Sequence, residues 1–230
     1  MKNINKNRLI DSFKNTIFEP LKKPLSEYAE LGIDSVMDSD VLKQIPVIST
    51  IIGFCKLGYN LHERHMINEI MKFFDGLDVD SIDKERLRVY REYLEDNPIE
   101  MEKELSRILI MLDKNIEDRQ SKYLGKFYRA LLNQEIKNNE FIIFSRIVVE
   151  MFDSDFDIIR NFEEITCDKK NEYQRLCYLN LISEKPVISN GEIEAFDEGY
   201  GLTAYQQAQS DCGYCYKMTE LGVKFLRLID

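Results

Sequence analysis

The sequence predicts a mostly helical protein, in which a multi-helix N-terminal body precedes a smaller module of helices and one antiparallel β-hairpin. Apolar residues recur at helical spacing through most of the first 150 residues. A stretch rich in Gly, Tyr and Gln then interrupts this pattern, and short alternating runs bracket that stretch. We therefore divide the chain into a helical domain, residues 1–152, and a mixed domain, residues 153–230.

Composition and charge narrow the classes of function. The chain has 230 residues and is 44% hydrophobic, which is enough to build a sizeable core. Its 31 basic and 41 acidic residues give a net charge of −10, which disfavours non-specific binding to nucleic acid or to an anionic membrane. Five cysteines and a polar start at Met1–Arg8, without the pattern of a secretory signal, predict a cytoplasmic protein.

The helical domain is organised around the apolar-rich segment Ile45–Phe74, which we interpret as one helix. The uninterrupted apolar part of its first half, Ile45–Tyr59, is far shorter than the roughly 20 residues that cross a bilayer. We favour a buried core helix, with Pro46 in its first turn and with Gly53 and Gly58 admitting a neighbouring helix. The alternative is insertion of this half into a membrane, as in membrane-active effectors.

Other helices of this domain follow from the same spacing. One of them is capped by Ser81 or Asp83 and ends before the Asp96-Asn97-Pro98 break. The apolar run in 141–152 predicts a helix buried on most sides. The predicted helices besides the central one are 5–18, 24–37, the capped helix through Leu94, 99–112, 118–132 and 141–152.

The second domain has a different order of elements. Helices are predicted at Asp155–Ile165 and Lys170–Leu181. The alternating runs IEAF, residues 193–196, and YCYKM, residues 214–218, fit two strands of a hairpin, and Thr219 is placed to cap the closing helix. Helix, helix, hairpin and helix is the order of a winged-helix module.

Two stretches carry a resemblance to known proteins. YKMTELGVKFLRLI resembles the strand and last helix of many prokaryotic winged-helix domains, and CYLNLISEKPVIS resembles the end of a recognition helix and the entry to the wing. The usual Gly of that turn is replaced by Glu184-Lys185-Pro186. Residues 40–230 are also similar, through IPVISTIIGFCKLGYNLHERHMINEIMKFF and KYLGKFYRALLNQEI, to uncharacterised bacterial proteins of mobile and phage-defence gene neighbourhoods. The resemblance implies no catalytic residues.

The winged-helix interpretation nominates contact residues for a partner or for nucleic acid. These are Lys169, Lys170 and Arg175 in the candidate recognition helix, with Tyr200 and Tyr205 in the stretch before the last strand. The domain contains 8 Lys or Arg against 15 Asp or Glu. This net negative charge disfavours binding to the phosphate backbone of DNA. We therefore favour protein contact or dimerisation over direct DNA binding.

Three motifs suggest metal or redox chemistry, and we assign none of them a metal. Cys212 and Cys215 have Cys-x-x-Cys spacing but precede a strand, so we expect ordinary wing cysteines. His62 and His65 are one residue short of the metalloprotease pair and are expected to face solvent or cap contacts. Residues 153–164 match acidic positions of a calcium loop but lack its glycine, so we expect a helix start.

Together these observations predict a non-enzymatic accessory or regulatory protein-interaction factor without a cofactor. The resemblance suggests bacterial anti-phage defence as its setting. A protein partner or self-association is expected. The first alternative is a winged-helix DNA-binding transcriptional regulator, and the second is a membrane-perturbing effector that acts through residues 45–59.

Overall fold

The computed structural model describes residues 3–19, 44–54, 61–167, 170–188 and 212–230. These residues are mostly helical, with one small three-stranded antiparallel sheet, so this part of the predicted fold class is confirmed. The chain divides into two compact units, Met1–Glu150 and Met151–Asp230. The boundary lies two residues before the one drawn from the sequence.

The first unit is a set of helices, and those from Leu61 onward follow one another through short connections. Asp83 is the N-cap predicted as one of two alternatives, and its side chain accepts a hydrogen bond from the Arg86 backbone N–H. Pro98 begins a new helix directly after Asn97, as the predicted break requires. Predicted helix 24–37 and Gly58 lie outside the described residues. The described helices are α1 Asn3–Phe18, α2 Pro46–Phe54, α3 Leu61–Leu77, α4 Lys84–Asp96, α5 Pro98–Lys114, α6 Gln120–Leu132 and α7 Asn138–Glu150.

The segment predicted as one helix over 45–74 is described as two, α2 and α3, with residues 55–60 outside the described part. Helix α2 starts at Pro46, and the Val47 N–H donates to Thr16 Oγ1 of α1 at 3.1 Å. Ile48 and Ile51 of α2 are buried. Among the helices that the structure describes, none combines the length and the apolarity needed to cross a membrane.

Aromatic rings join four helices of the first unit into one core. Phe13 of α1 lies 5.6 Å, centroid to centroid, from both Phe73 and Phe74 of α3. Phe73 lies 6.1 Å from Tyr128 of α6, which in turn lies 5.5 Å from Phe141 of α7. All five side chains are almost completely buried, so α1, α3, α6 and α7 share this core.

Close helix packing occurs at glycines other than the one predicted. A Cβ atom added to Gly76 of α3 would overlap the Lys122 carbonyl of α6, and one added to Gly125 of α6 would overlap the Phe73 carbonyl of α3. Gly53, in contrast, is exposed, and an added Cβ would meet no described atom within 4 Å. The close approach expected at Gly53 is therefore found at the α3–α6 crossing.

The second unit combines short helices with the sheet. Strand β3 lies in the centre, in the order β1-β3-β2, and both pairings are antiparallel. A 3-10 turn, Asn171–Tyr173, leads directly into α9. The elements are α8 Asp153–Arg160, β1 Ile165–Cys167, α9 Gln174–Tyr178, β2 Ile182–Ile188, β3 Cys212–Met218 and α10 Glu220–Ile229.

Two sequence predictions for this unit need correction, and a third is tested only in part. The helix predicted to reach Ile165 ends at Arg160, and residues 165–167 form β1 instead. The helix predicted over 170–181 is shorter, and its last residue there is Tyr178. The run 214–218 is a strand as predicted, and it pairs with β1 and β2. Its predicted partner, residues 193–196, lies outside the described residues. Strands this short are determined by pairing with β3 rather than by their own alternation.

Helix α10 begins at the predicted cap, Thr219. Its side chain accepts a hydrogen bond from the Gly222 N–H at 2.9 Å and donates one to the Asn180 carbonyl at 2.6 Å. A Cβ added to Gly222 would overlap the Leu181 carbonyl. The Thr-x-x-Gly run therefore both caps α10 and lets it start against the chain that enters β2.

Candidate functional site

Arg175, a predicted contact residue, is held by other residues of its own unit. Its guanidinium carbon lies 3.9 Å from the centroid of the Phe152 ring, and its Nε lies 3.2 Å from Asp155 Oδ2. Asp155 is buried and also accepts the Phe152 N–H at 2.8 Å. An external partner would have to compete with this stacked ion pair.

Lys170 also has partners within the unit. Its Nζ lies 3.6 Å from Glu172 Oε1 and 5.4 Å from the Tyr173 ring centroid, while its backbone N–H donates to the Tyr216 hydroxyl. The structure thus places Lys170 just before the turn that leads into the helix carrying Arg175. The other three predicted contact residues, Lys169, Tyr200 and Tyr205, lie outside the described residues.

The motifs weighed for metal chemistry do not converge. Cys212 and Cys215 both lie within strand β3. The His62 ring is 68% exposed, and its Nε2 lies 3.4 Å from Asp113 Oδ1. Residues 153–160 form helix α8, as the helix interpretation of the acidic run predicts. The part of the chain that the structure describes contains no group of three or more His, Cys, Asp or Glu side chains able to hold a metal ion.

A groove of about 480 Å³ lies in the first unit between helices α5 and α7. Its floor and walls are apolar at the centre, where Ile110 and Met111 of α5 face Val149 of α7. Among these apolar residues, Ile110 is 55% exposed. Exposed apolar side chains inside a concave surface are typical of binding sites.

Positive charge surrounds this apolar centre. Lys103, Arg107 and Lys114 of α5 and Arg146 of α7 line the groove together with one acid, Glu150. Lys103 pairs with Glu100 at 3.0 Å. Within the described ranges, Arg107, Lys114 and Arg146 form no ion pair. We call these nine lining residues the basic groove: Lys103, Ser106, Arg107, Ile110, Met111, Lys114, Arg146, Val149 and Glu150.

One polar atom of the basic groove is also unsatisfied. The Ser106 hydroxyl oxygen is buried and has no hydrogen-bond partner among the described residues. A buried hydroxyl without a partner costs free energy unless a ligand or water bonds it. The groove therefore offers guanidinium and ammonium donors, one hydroxyl and an apolar floor. This set of groups is suited to a negatively charged ligand that also has apolar side chains.

A buried carboxyl group positions α5 beside the groove. The Tyr90 hydroxyl of α4 and the Tyr128 hydroxyl of α6 each donate to Glu104 at 2.8 Å. Burial raises the pKa of Glu104, while the two phenol hydrogen bonds and the charge of Arg107 oppose the rise. This carboxyl group connects α4, α5 and α6 and fixes the rotation of α5 about its axis. Arg107 lies three residues after Glu104 on the same helix.

The raised pKa of Glu104 predicts a pH-dependent stability. An acid with a raised folded-state pKa contributes stability that is complete below its unfolded value of 4.5 and is lost as the pH rises through the folded value. Glu104→Gln removes this titration. We expect the free energy of unfolding of the wild type to fall relative to that of Glu104→Gln as the pH rises above 4.5, measured by urea titration at a series of pH values. Parallel curves for the two proteins would contradict the prediction.

The basic groove is not evident from the helical patterns of the sequence. The apolar spacing marks only the buried faces of α5 and α7 and predicts that α7 is buried on most sides, whereas Ile143 and Arg146 are exposed. One signal was present in the sequence: Ile110 adds an apolar residue beside the buried positions 108, 109 and 112, on the side that carries Arg107 and Lys114.

Comparison with known proteins adds no family: no family model, curated protein or solved structure matches this chain.

Proposed function

We propose that this chain is a non-enzymatic accessory or regulatory protein-interaction factor, and that the basic groove receives its partner. One observation carries the proposal. Arg107, Lys114 and Arg146, which form no ion pair in the described part of the chain, surround the exposed side chain of Ile110. These charges stand out on a chain whose net charge is −10. Arginine is enriched among the interface residues that contribute most of the binding energy, and such residues cluster around a buried apolar centre.

For the second unit we propose a winged-helix-like module that serves protein contact or dimerisation. Its order of helix, strand, helix, hairpin strands and helix supports the comparison with winged-helix domains. The engagement of Arg175 by Asp155 and of Lys170 by Glu172 favours protein contact over DNA binding. Cations already paired with acids gain less from phosphate, because the existing pair must first be broken.

A photo-crosslinking experiment tests the proposal. A benzoylphenylalanine residue replaces Ile110 in the full-length chain, expressed in cells of the source organism, and the matched control carries the same residue at Val89, an exposed position of α4 outside the groove. We expect a protein adduct at position 110 that is absent at position 89. Combining the crosslinker with Arg107→Glu and Arg146→Glu should remove that adduct.

Other outcomes of the same experiment overturn the proposal. Adducts with nucleic acid alone would favour the DNA-binding regulator, and adducts with lipid alone would favour the membrane-perturbing effector. The same adducts at positions 110 and 89 would mean that the groove is not a specific site.

We further propose anti-phage defence as the setting, on the basis of the sequence resemblance. Phage challenge of cells that carry the groove variant examines this setting directly.

A further inference from the structure

We infer that the occupant of the basic groove is an acidic amphipathic α-helix of a partner protein, a conclusion that rests on the proposed function. The first step is the spacing of the cations on α5. Lys103, Arg107 and Lys114 follow one another at intervals of four and seven residues, which places them on one face of the helix. At a rise of about 1.5 Å per residue, this row is about 16 Å long.

The second step is the position of the apolar centre relative to the charges. Ile110 and Met111 lie between Arg107 and Lys114 along α5, and Arg146 stands on the opposite wall beside Val149. A complementary ligand therefore carries an apolar stripe with acidic residues on both flanks. Such a stripe between charged flanks is the surface of an amphipathic helix docked into a groove.

The third step compares ligands of the same length. An extended segment that spans about 16 Å has about five residues, of which only every second side chain faces the groove. Two or three side chains are too few to meet four cations and an apolar floor. A helix of about 11 residues spans the same distance. It presents a stripe of about four apolar side chains to the groove, with acidic positions on either flank of that stripe.

The distribution of charge also distinguishes a helix from phosphate ligands. The cations are spread along α5 and across to α7 instead of converging on one point, as a single phosphate group would require. A nucleic-acid backbone presents phosphates without an apolar stripe. It would leave Ile110, 55% exposed, facing charged oxygens. Carboxylates on a helix satisfy Arg107 and Arg146 while the floor remains in apolar contact.

A designed peptide tests the inference on the full-length protein. The probe is a synthetic helical peptide of about 18 residues with Leu along one stripe and Glu on both flanks. A scrambled peptide of identical composition, a polyglutamate of equal charge and a DNA duplex of about 20 base pairs are the comparison ligands. By fluorescence anisotropy at about 150 mM salt, we expect the patterned peptide to bind at least about tenfold more tightly than the scrambled one.

Variants locate this binding. Arg107→Glu with Arg146→Glu should weaken binding of the patterned peptide by about tenfold or more. The matched control, Lys84→Glu with Lys137→Glu, makes the same change in net charge at exposed positions outside the groove and should alter affinity by less than about twofold. Ile110→Ser changes one exposed side chain without altering charge. It should weaken binding of the patterned peptide but not of polyglutamate.

Each remaining outcome contradicts part of the inference. Equal affinity for patterned and scrambled peptides would show charge attraction without recognition of a helix. Tighter binding of duplex DNA, lost in Arg107→Glu with Arg146→Glu, would assign the groove to nucleic acid. If the peptide fails to bind while the crosslinker at position 110 captures a protein, the helix inference falls and the proposed function stands. If both experiments fail, both proposals fall.

Discussion

Replacing Gly125 with alanine should lower the free energy of unfolding by about 3 kcal/mol or more, because the added methyl group meets backbone instead of a movable side chain. Its Cβ would overlap the Phe73 carbonyl oxygen and lie 2.7 Å from the Leu77 nitrogen. Relief requires α3 and α6 to move apart. That movement would also separate Phe73 from Tyr128, whose rings lie within the shared core. Urea or thermal unfolding of the purified variant measures the loss.

Two further variants make this prediction specific to the crossing. Gly76→Ala places its methyl group against the Lys122 carbonyl and should cost a similar amount. Gly53→Ala lies in α2, where the added atom meets no described neighbour. It should leave stability unchanged or raise it by about 0.5–1 kcal/mol, because alanine restricts the unfolded chain and favours the helix. Equal losses in the three variants would show that helix propensity, not the crossing, determines the effect.

The glycine pattern shows what a single sequence reveals about packing. The spacing of Met66, Ile70 and Phe74 correctly predicts the buried face of α3, because burial of one helix face leaves a period near 3.6. It does not reveal which helix lies opposite. Gly53 stands in a strongly apolar segment and suggests close packing, whereas Gly76 follows Asp75 at the end of a helix and suggests a turn. Only the three-dimensional crossing of α3 and α6 distinguishes them.

The basic groove and strand β1 are not predictable from local sequence patterns for a related reason. Strand β1 has three residues and owes its conformation to pairing with Tyr214–Tyr216, about fifty positions later in the chain. Arg107 and Arg146 belong to separate helices, and the sequence does not show that the two guanidinium groups line one groove or that neither forms an ion pair with a described acid. Local patterns predict helices and their buried faces. A site made from the exposed sides of two helices depends on how those helices are placed.

Glu104→Leu should lower the free energy of unfolding by about 2–4 kcal/mol, because two phenol hydroxyls lose their acceptor. Tyr128 is completely buried, so water cannot replace the carboxylate there, and the Tyr90 hydroxyl donates to the same group. Removing the buried carboxyl also removes its own desolvation cost, which is the main cause of its raised pKa. We expect the loss of two hydrogen bonds to be the larger effect. Urea unfolding of the two proteins at the same pH measures it.

A double-mutant cycle separates these contributions. Tyr90→Phe with Tyr128→Phe should destabilise the wild type, because the buried carboxyl loses both donors, but should stabilise Glu104→Leu, because it removes two unsatisfied hydroxyls. Glu102→Leu, an exposed change on the same helix, is the control and should alter stability by no more than about 0.5 kcal/mol. If the two Phe substitutions destabilise both backgrounds equally, the phenols act through packing alone and the carboxyl group does not link α4, α5 and α6. A reversal of sign between backgrounds would instead identify Glu104 as the polar joint that holds α5, and with it the cationic wall of the basic groove, in position.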